Sequence, residues 1–186
     1  MGRLILILGG ARSGKSTFAQ RMAGNYAGGV AFIATAQAGD PEMAMRIAAH
    51  QRERPGHWIT LEIPHGIAAA WRSRAVEVEL AILDCLTLLV SNLALLAAPE
   101  PDAPDEKLIA TSVTEEIEAL IALIRESSCD WIVVSNEVGL GLVPPYPLGR
   151  IYRDLLGWAN QRLAAIADGV YLLIAGIPVP IHHNRL

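Results

Sequence analysis

The sequence predicts an α/β fold, a mostly parallel sheet flanked by helices, in a single domain over residues 1–186. Three observations carry this expectation. Short apolar runs alternate with helical segments along the chain, the pattern of βα units. Several of these runs are continuously apolar rather than alternating, as strands buried on both faces are. A complete phosphate-binding loop, Gly9 to Ser16, lies between the first run and the first helical segment.

The elements follow in order. Leu4 to Leu8 reads as a buried strand stopped by Gly9-Gly10. Ser16 to Ala23 is helical, and Gly24 to Gly29 a turn before a second strand, Val30 to Thr35. Asp40-Pro41-Glu42 is a helix start, with an Asp cap, Pro at the first position and an acid in the first turn. That helix runs to about Arg52 and stops near Arg54-Pro55. Trp58 to Ile63 is a short strand and Gly66 to Val76 a helix. Leu80 to Cys85 is a strand leading into a helix, Leu86 to Ala97. Ala98 to Asp105 is a proline-rich, acidic surface loop before a long amphipathic helix, Lys107 to Glu126. Trp131 to Ser135 is a strand, Gly139 to Gly149 a loop, Arg150 to Ala167 a helix and Val170 to Ala175 the last strand. The tail pair His182-His183 reads as a disordered terminus or a weak metal site.

Composition excludes some functions. The chain is 52% hydrophobic with a mean hydropathy of +0.34, yet no run reaches the ~20 uncharged residues of a membrane span. The net charge of −4 argues against a general nucleic-acid binder, which needs a basic face. Cys85 and Cys129 are far apart and match no zinc or CxxC spacing. No signal-peptide pattern precedes the first strand, so cytoplasmic residence is expected.

Gly9-Gly10-Ala11-Arg12-Ser13-Gly14-Lys15-Ser16 matches GxxxxGK[ST] in full, with a strand before it and a helix after it. Glycines let the backbone curl so that N–H groups point at phosphate oxygens. The helix that follows aims its positive end at the same anion. Lys15 adds a charge for the β- and γ-phosphates, and Ser16 a hydroxyl ligand for Mg²⁺. This is the mark of a P-loop nucleotide-using phosphotransferase. Asp84, at the end of an apolar run, suits either the Mg²⁺ shell or the cap of the next helix. Arg46, His50 and Arg54 at i, i+4 and i+8 would share one helix face. A histidine among arginines can attack the α-phosphorus of a nucleoside triphosphate, or it can belong to an ordinary charged face. Asn136-Glu137 at a strand end suits sheet-edge chemistry or loop anchoring. Arg150 and Arg153 suit phosphate contact, a neighbouring subunit, or plain exposure. The 139–149 loop suits a lid over the substrate or packing on a sister subunit.

The sequence resembles the bifunctional adenosylcobinamide kinase / adenosylcobinamide-phosphate guanylyltransferase family of cobalamin biosynthesis, over nearly the whole chain. Beyond the phosphate loop, the resemblance rests on Ile33-Ala-Thr-Ala-Gln37, Glu42-Met43, Arg46-Ile47, His50, Arg54-Pro55 and Trp58. It continues through Leu83-Asp-Cys-Leu-Thr87, Ser91-Asn92, Val134-Ser-Asn-Glu-Val-Gly139, Leu148-Gly-Arg150, Arg153-Asp154, Gly157, Asn160-Gln161 and Ala167-Asp168. The family often has a glutamate where Gln20 stands and a basic residue where Trp158 stands.

The resemblance implies a RecA-like P-loop fold assembling as a homotrimer. It implies phosphorylation of adenosylcobinamide by a nucleoside triphosphate, ATP or GTP. GMP then passes from GTP through a covalent adduct on His50 to adenosylcobinamide phosphate, giving adenosylcobinamide-GDP. Nucleotide contacts would fall on the phosphate loop, on Ala34, Thr35 and Ala36, on Gln51, Arg52, Glu53 and Arg54, on Glu62 and on Asp84, with Mg²⁺ at Ser16 and Asp84. Two alternatives are a simple small-molecule kinase without the covalent step and a nucleotide-switched RecA-like binding protein.

Overall fold

A computed structural model describes residues 2–39, 41–52, 54–74 and 77–183. The elements are β1 (Leu4–Gly9), α1 (Lys15–Ala23), β2 (Val30–Ala34), α2 (Pro41–Arg52), β3 (Ile59–Glu62), α3 (Ile67–Arg74) and β4 (Leu80–Asp84). They continue with α4 (Leu86–Leu96), α5 (Glu106–Glu126), β5 (Asp130–Val134), α6 (Pro147–Ala164), β6 (Gly169–Ile174) and β7 (Ile177–His183). A single 3₁₀ turn, Val138–Leu140, follows β5.

The strands form one sheet in the order β3-β2-β4-β5-β1-β6-β7. All neighbours pair in parallel except β6 and β7. The parallel strands point their carboxyl ends to one edge, and crossover helices must return the chain across the faces.

Alternate residues of each central strand serve the two faces. Leu4, Leu6, Leu8, Ala81, Leu83, Trp131 and Val133 pack under α3, α4, α5 and α6. Ile7, Phe32, Leu80, Ile82, Ile132 and Val134 face the other way, where α1 contributes only Ala19 and Ala23 to the fully buried layer. Both faces are covered, which is why the strands read as continuous apolar runs. The α5 helix shows its origin plainly. Asp105 caps it by accepting from the Leu108 N–H at 3.1 Å, and Ile109, Val113, Ile117, Leu120 and Ile124 repeat along one buried stripe.

Most element bounds differ from the sequence reading by a residue or so, and a few departures matter for the site. Strand β4 ends at Asp84, and Cys85 is the extended residue before α4. Helix α6 begins at Pro147 rather than Arg150, since proline at the first helical position has no N–H to waste. The Pro41 helix ends at Arg52, so Arg54 lies beyond it; the Asp40 cap falls outside the described residues, as do the last two positions of the 66–76 helix. The tail pair His182-His183 reads as a disordered terminus or a weak metal site, yet Ile177–His183 pairs antiparallel with β6 through the two-residue turn Ala175-Gly176. Both turn residues have positive φ, 51° and 82°, the geometry that matches hairpin twist. Pro178 and Pro180 are tolerated because β7 is an edge strand.

No helix among the described residues is long and apolar enough to cross a membrane.

Ile117 is fully buried on α5, on the face away from the phosphate loop. Ile117→Ala should lower unfolding stability by about 2–5 kcal/mol, the range for deleting a buried aliphatic side chain. Urea unfolding measures the loss, and nucleotide affinity of the folded fraction should not change.

Candidate active site

The phosphate loop is built by backbone constraint. Gly9, at the end of β1, has φ 150°, and a Cβ there would meet the Leu173 carbonyl oxygen at 2.6 Å and Ser13 Oγ at 2.7 Å. Gly14 takes a left-handed conformation, φ 92°, at the cap position of α1. Ser13 N–H donates to the Gly10 carbonyl at 3.3 Å, and Gly176 N–H donates to the Ser13 carbonyl at 3.0 Å. The β6–β7 turn thus braces the loop from outside. The α1 ladder opens with Phe18 N–H donating to Gly14, leaving earlier amides directed at the loop's concavity.

Lys15 is buried, and its ammonium donates to the Gly10 carbonyl at 2.6 Å. Burial lowers its pKa, while the neighbouring Cys85 and Asp84 act in the opposite sense. Asp84 ends β4, two strands away from β1. Burial pushes the Asp84 carboxyl above the usual carboxylate range; the Ser16 hydroxyl, which donates to it, and the nearby His50, Arg54 and Lys15 pull it back toward the ionised form. Burial likewise raises the Cys85 thiol to about 11, with Asp84 adding to the effect.

The structure therefore brings Lys15, Ser16, Asp84, His50 and Arg54 to one place. His50 stands on the exposed last turn of α2. The Arg54 guanidinium lies 3.7 Å from the centre of the Phe32 ring, which also stacks on Trp58 at 6.5 Å. Burial lowers the Arg54 pKa, and Asp84 and Glu62 oppose that. Its Nε and Nη1 are buried with no hydrogen-bond partner among the described residues. Gln51 donates to Glu62 at 3.1 Å, tying the end of α2 to the end of β3. Arg52 is exposed on the outer side of α2, beside Met45 and Ala48.

Thr35 is fully buried, and its hydroxyl is committed locally. It donates to the Cys85 carbonyl and accepts from the Cys85 N–H, both at 2.8 Å. It positions the turn after Asp84, flanked by Ala34 and Ala36 at the end of β2. Glu53 and the Arg46 side chain lie outside the described residues.

Sequence reasoning missed two features. Phe32 platforms Arg54, and nothing in an apolar strand distinguishes such a residue. Asn160 did leave a signal, as a polar residue on the apolar stripe of Leu156, Ala159 and Leu163. It is 5% exposed and gathers the end of β5. Ser135 donates to its Oδ1 at 2.7 Å, and its Nδ2 donates to the Asn136 carbonyl and to Glu137 Oε1, each at 3.1 Å. A groove lined by Trp71, Glu77, Leu123 and Cys129 lies at the opposite, amino-terminal edge of the sheet, away from these residues.

Fold and loop define a P-loop nucleotide-binding enzyme of RecA-like architecture. The fold is shared with the RadB recombinase crystal structure (TM-score 0.50, 15% identity, covering 92% of this chain and 74% of that one). It is also shared with a type III secretion system ATPase (TM-score 0.59, 14% identity, 94% and 52%). The family profile described as cobinamide kinase / cobinamide phosphate guanyltransferase matches residues 5–181, and the chain belongs to that family. It is 45% identical over 181 residues to the bifunctional adenosylcobalamin biosynthesis protein CobP of Pseudomonas aeruginosa, covering 97% of this chain and 98% of that protein. The corresponding figure for CobU of Salmonella typhimurium is 41% over 180 residues, covering 96% and 99%.

Gly9→Ala should collapse or distort the loop, because the added Cβ overlaps a backbone carbonyl that belongs to β6. The expected result is at least a tenfold weaker affinity for a non-hydrolysable triphosphate by calorimetry, with the far-ultraviolet dichroism retained.

Proposed function

We propose that this chain carries both activities of its family in one domain: phosphorylation of adenosylcobinamide by a nucleoside triphosphate, and transfer of GMP from GTP to the product through a covalent His50 adduct. The supporting observation is the convergence of His50, Arg54 and Lys15 on the Asp84 carboxylate beside the phosphate loop. A histidine on an ordinary solvated face would have no such bearing on the carboxylate beside the phosphate loop.

In the guanylyl step an imidazole nitrogen of His50 attacks the α-phosphorus of GTP. A P–N bond forms, the bond from that phosphorus to the bridging oxygen breaks, and pyrophosphate leaves. A phosphate oxygen of adenosylcobinamide phosphate then attacks the same phosphorus, the P–N bond breaks, and His50 is restored. Lys15 and the loop amides hold the phosphates. Arg54, fixed flat on Phe32, offers unpaired N–H groups to a nucleotide oxygen. Gln51 and Glu62 keep the end of α2 in place.

Ser16 and Asp84 fit a Mg²⁺ site, with a hydroxyl and a carboxylate already within hydrogen-bond distance at the loop. The ion would neutralise charge on the phosphate oxygens. Among the described residues there is no cluster of three or more His, Cys, Asp or Glu side chains that could hold a metal ion. Soluble small-molecule substrates accord with cytoplasmic residence. An assembly of three copies accords with the apolar row Ile174, Ile177, Val179 and Ile181 that the β6–β7 hairpin exposes.

Incubation with Mg²⁺ and GTP should give a GMP-sized mass gain in the intact protein, labile to acid as a phosphoramidate is. Chelation should abolish the gain, and His50→Ala should never show it. A mass gain of the same size in His50→Ala would remove His50 from the mechanism. Light scattering should report three times the chain mass of 20.0 kDa; a monomer would remove the trimer.

A further inference from the structure

We infer that Glu137 is the general base of the kinase reaction, the carboxylate that takes the proton from the acceptor alcohol; this rests on the proposed kinase activity. Three observations place it there. First, β5 lies between β4 and β1 in the sheet. Val134 is level with Asp84 on one side and with Ile7 on the other. The residues just past Val134 therefore emerge between the Asp84 carboxylate and the phosphate loop. Second, Glu137 is tied to that loop, since its N–H donates to the Gly9 carbonyl at 3.2 Å. Third, its carboxylate is held by a buried partner. Asn160 Nδ2 donates to Oε1 at 3.1 Å, and Asn160 is itself fixed by Ser135, which is fully buried. A carboxylate has about four acceptor positions, so one bond to Asn160 leaves capacity for a substrate hydroxyl.

The chemistry requires such a group. An alcohol is a weak nucleophile until its proton has somewhere to go, and base assistance contributes roughly 10²–10⁴-fold. Of the described residues at the carboxyl ends of β1, β5 and β4, only Asp84 and Glu137 carry carboxylates. Asp84 is occupied by the Ser16 hydroxyl and suits the metal. The step then balances simply. The alcohol oxygen bonds to the γ-phosphorus, the bond from that phosphorus to the β,γ-bridging oxygen breaks, the nucleoside diphosphate leaves, and the alcohol proton passes to Glu137 and on to water.

Asn136, although adjacent, does a different job. Its N–H donates to Thr87 Oγ1 at 2.9 Å and its carbonyl accepts from Asn160, so its backbone anchors the segment. Glu137 is half-buried and reachable, as a base must be.

The test compares the intact protein with Glu137→Gln and Glu137→Asp in two assays, ATP-dependent phosphorylation of adenosylcobinamide and formation of the GMP adduct from GTP. Gln keeps the acceptor oxygen that Asn160 holds and removes only the basicity. The expected result is a kcat for phosphorylation about 10²–10⁴-fold lower in Glu137→Gln, with the KM for ATP within a few-fold of the parent and adduct formation unchanged. Glu137→Asp should recover part of the lost rate. Phosphorylation by Glu137→Gln within about threefold of the parent overturns the assignment. Equal loss of both activities also overturns it, because the carboxylate would then be maintaining the loop. A parent protein that forms no phosphorylated product refutes the kinase reading itself, and the base assignment goes with it.

Discussion

The order of three strands, β4-β5-β1, is the constraint on which the site depends. Parallel strands can be joined only by crossovers, so every loop at their carboxyl ends opens on the same edge. Neighbouring strands stand roughly 4.8 Å apart. The phosphate loop after β1 and the carboxylate after β4 are therefore about 10 Å apart by sheet geometry alone, roughly the span of a triphosphate and its metal ion. Helix α1 bridges the gap from above, since its second residue, Ser16, reaches Asp84. The asymmetry of the faces follows from the same arrangement. Four helices crowd one face to make the main core, and α1 alone packs Ala19 and Ala23 close on the other, where its amino end must touch the loop.

Electrostatics turns that geometry into an anion site. The chain as a whole is acidic, with a net charge of −4, yet the carboxyl edge brings Lys15, Arg54 and His50 close to the Asp84 carboxylate. Burial penalises Lys15, Arg54 and Asp84 alike. Asp84 opposes the penalty on both Lys15 and Arg54, and Glu62 shares that task at Arg54. On the proposed reading a triphosphate would bring its negative charge to these partly desolvated cations, where water screens little. The N-terminal amides of α1 add to the same field.

Much of this was legible because the loop motif carries its own context. A strand, a glycine-rich turn and a helix must occur in that order for the motif to work, and residues 4–23 show them in order. The β-hairpin at the end was not legible. Pro178 and Pro180 spoil the pattern of a strand, and Ala175-Gly176 lacks the Asn-Gly or Asp-Gly that announces a hairpin turn. Only the edge position makes those prolines harmless, and sequence does not state which strand is at the edge. Thr35 shows a different limit. Its hydroxyl holds the Cys85 peptide, a long-range pairing that local patterns do not contain. Arg54 was expected on the α2 face, and its hold on Phe32 depends on the chain turning after Arg52.

The strand order also bears on how one loop serves two reactions. Read across the carboxyl edge, Phe32 with Arg54 lies over β2, Asp84 ends β4, Glu137 follows β5 and the phosphate loop follows β1. His50 enters from the β2 side, on an exposed helix end, and Glu137 sits beside the loop. On the proposed reading the two reactions attack different phosphorus atoms, the α in one and the γ in the other, and they need their nucleophiles in different places. A sheet edge supplies this separation without a second nucleotide site, because each strand contributes its own terminal residue at a fixed spacing. On that reading the covalent step depends on α2, whose end is tied to the sheet through Gln51 and Glu62, with Arg54 on Phe32 just beyond it. If Glu137 is the base, the alcohol phosphorylation depends on Asn160 and Ser135, which are buried and cannot shift without disturbing the core. The more exposed half of the site would thus handle the step with a protein-bound intermediate, and the rigid half the step in which a proton must leave an alcohol in one fixed direction.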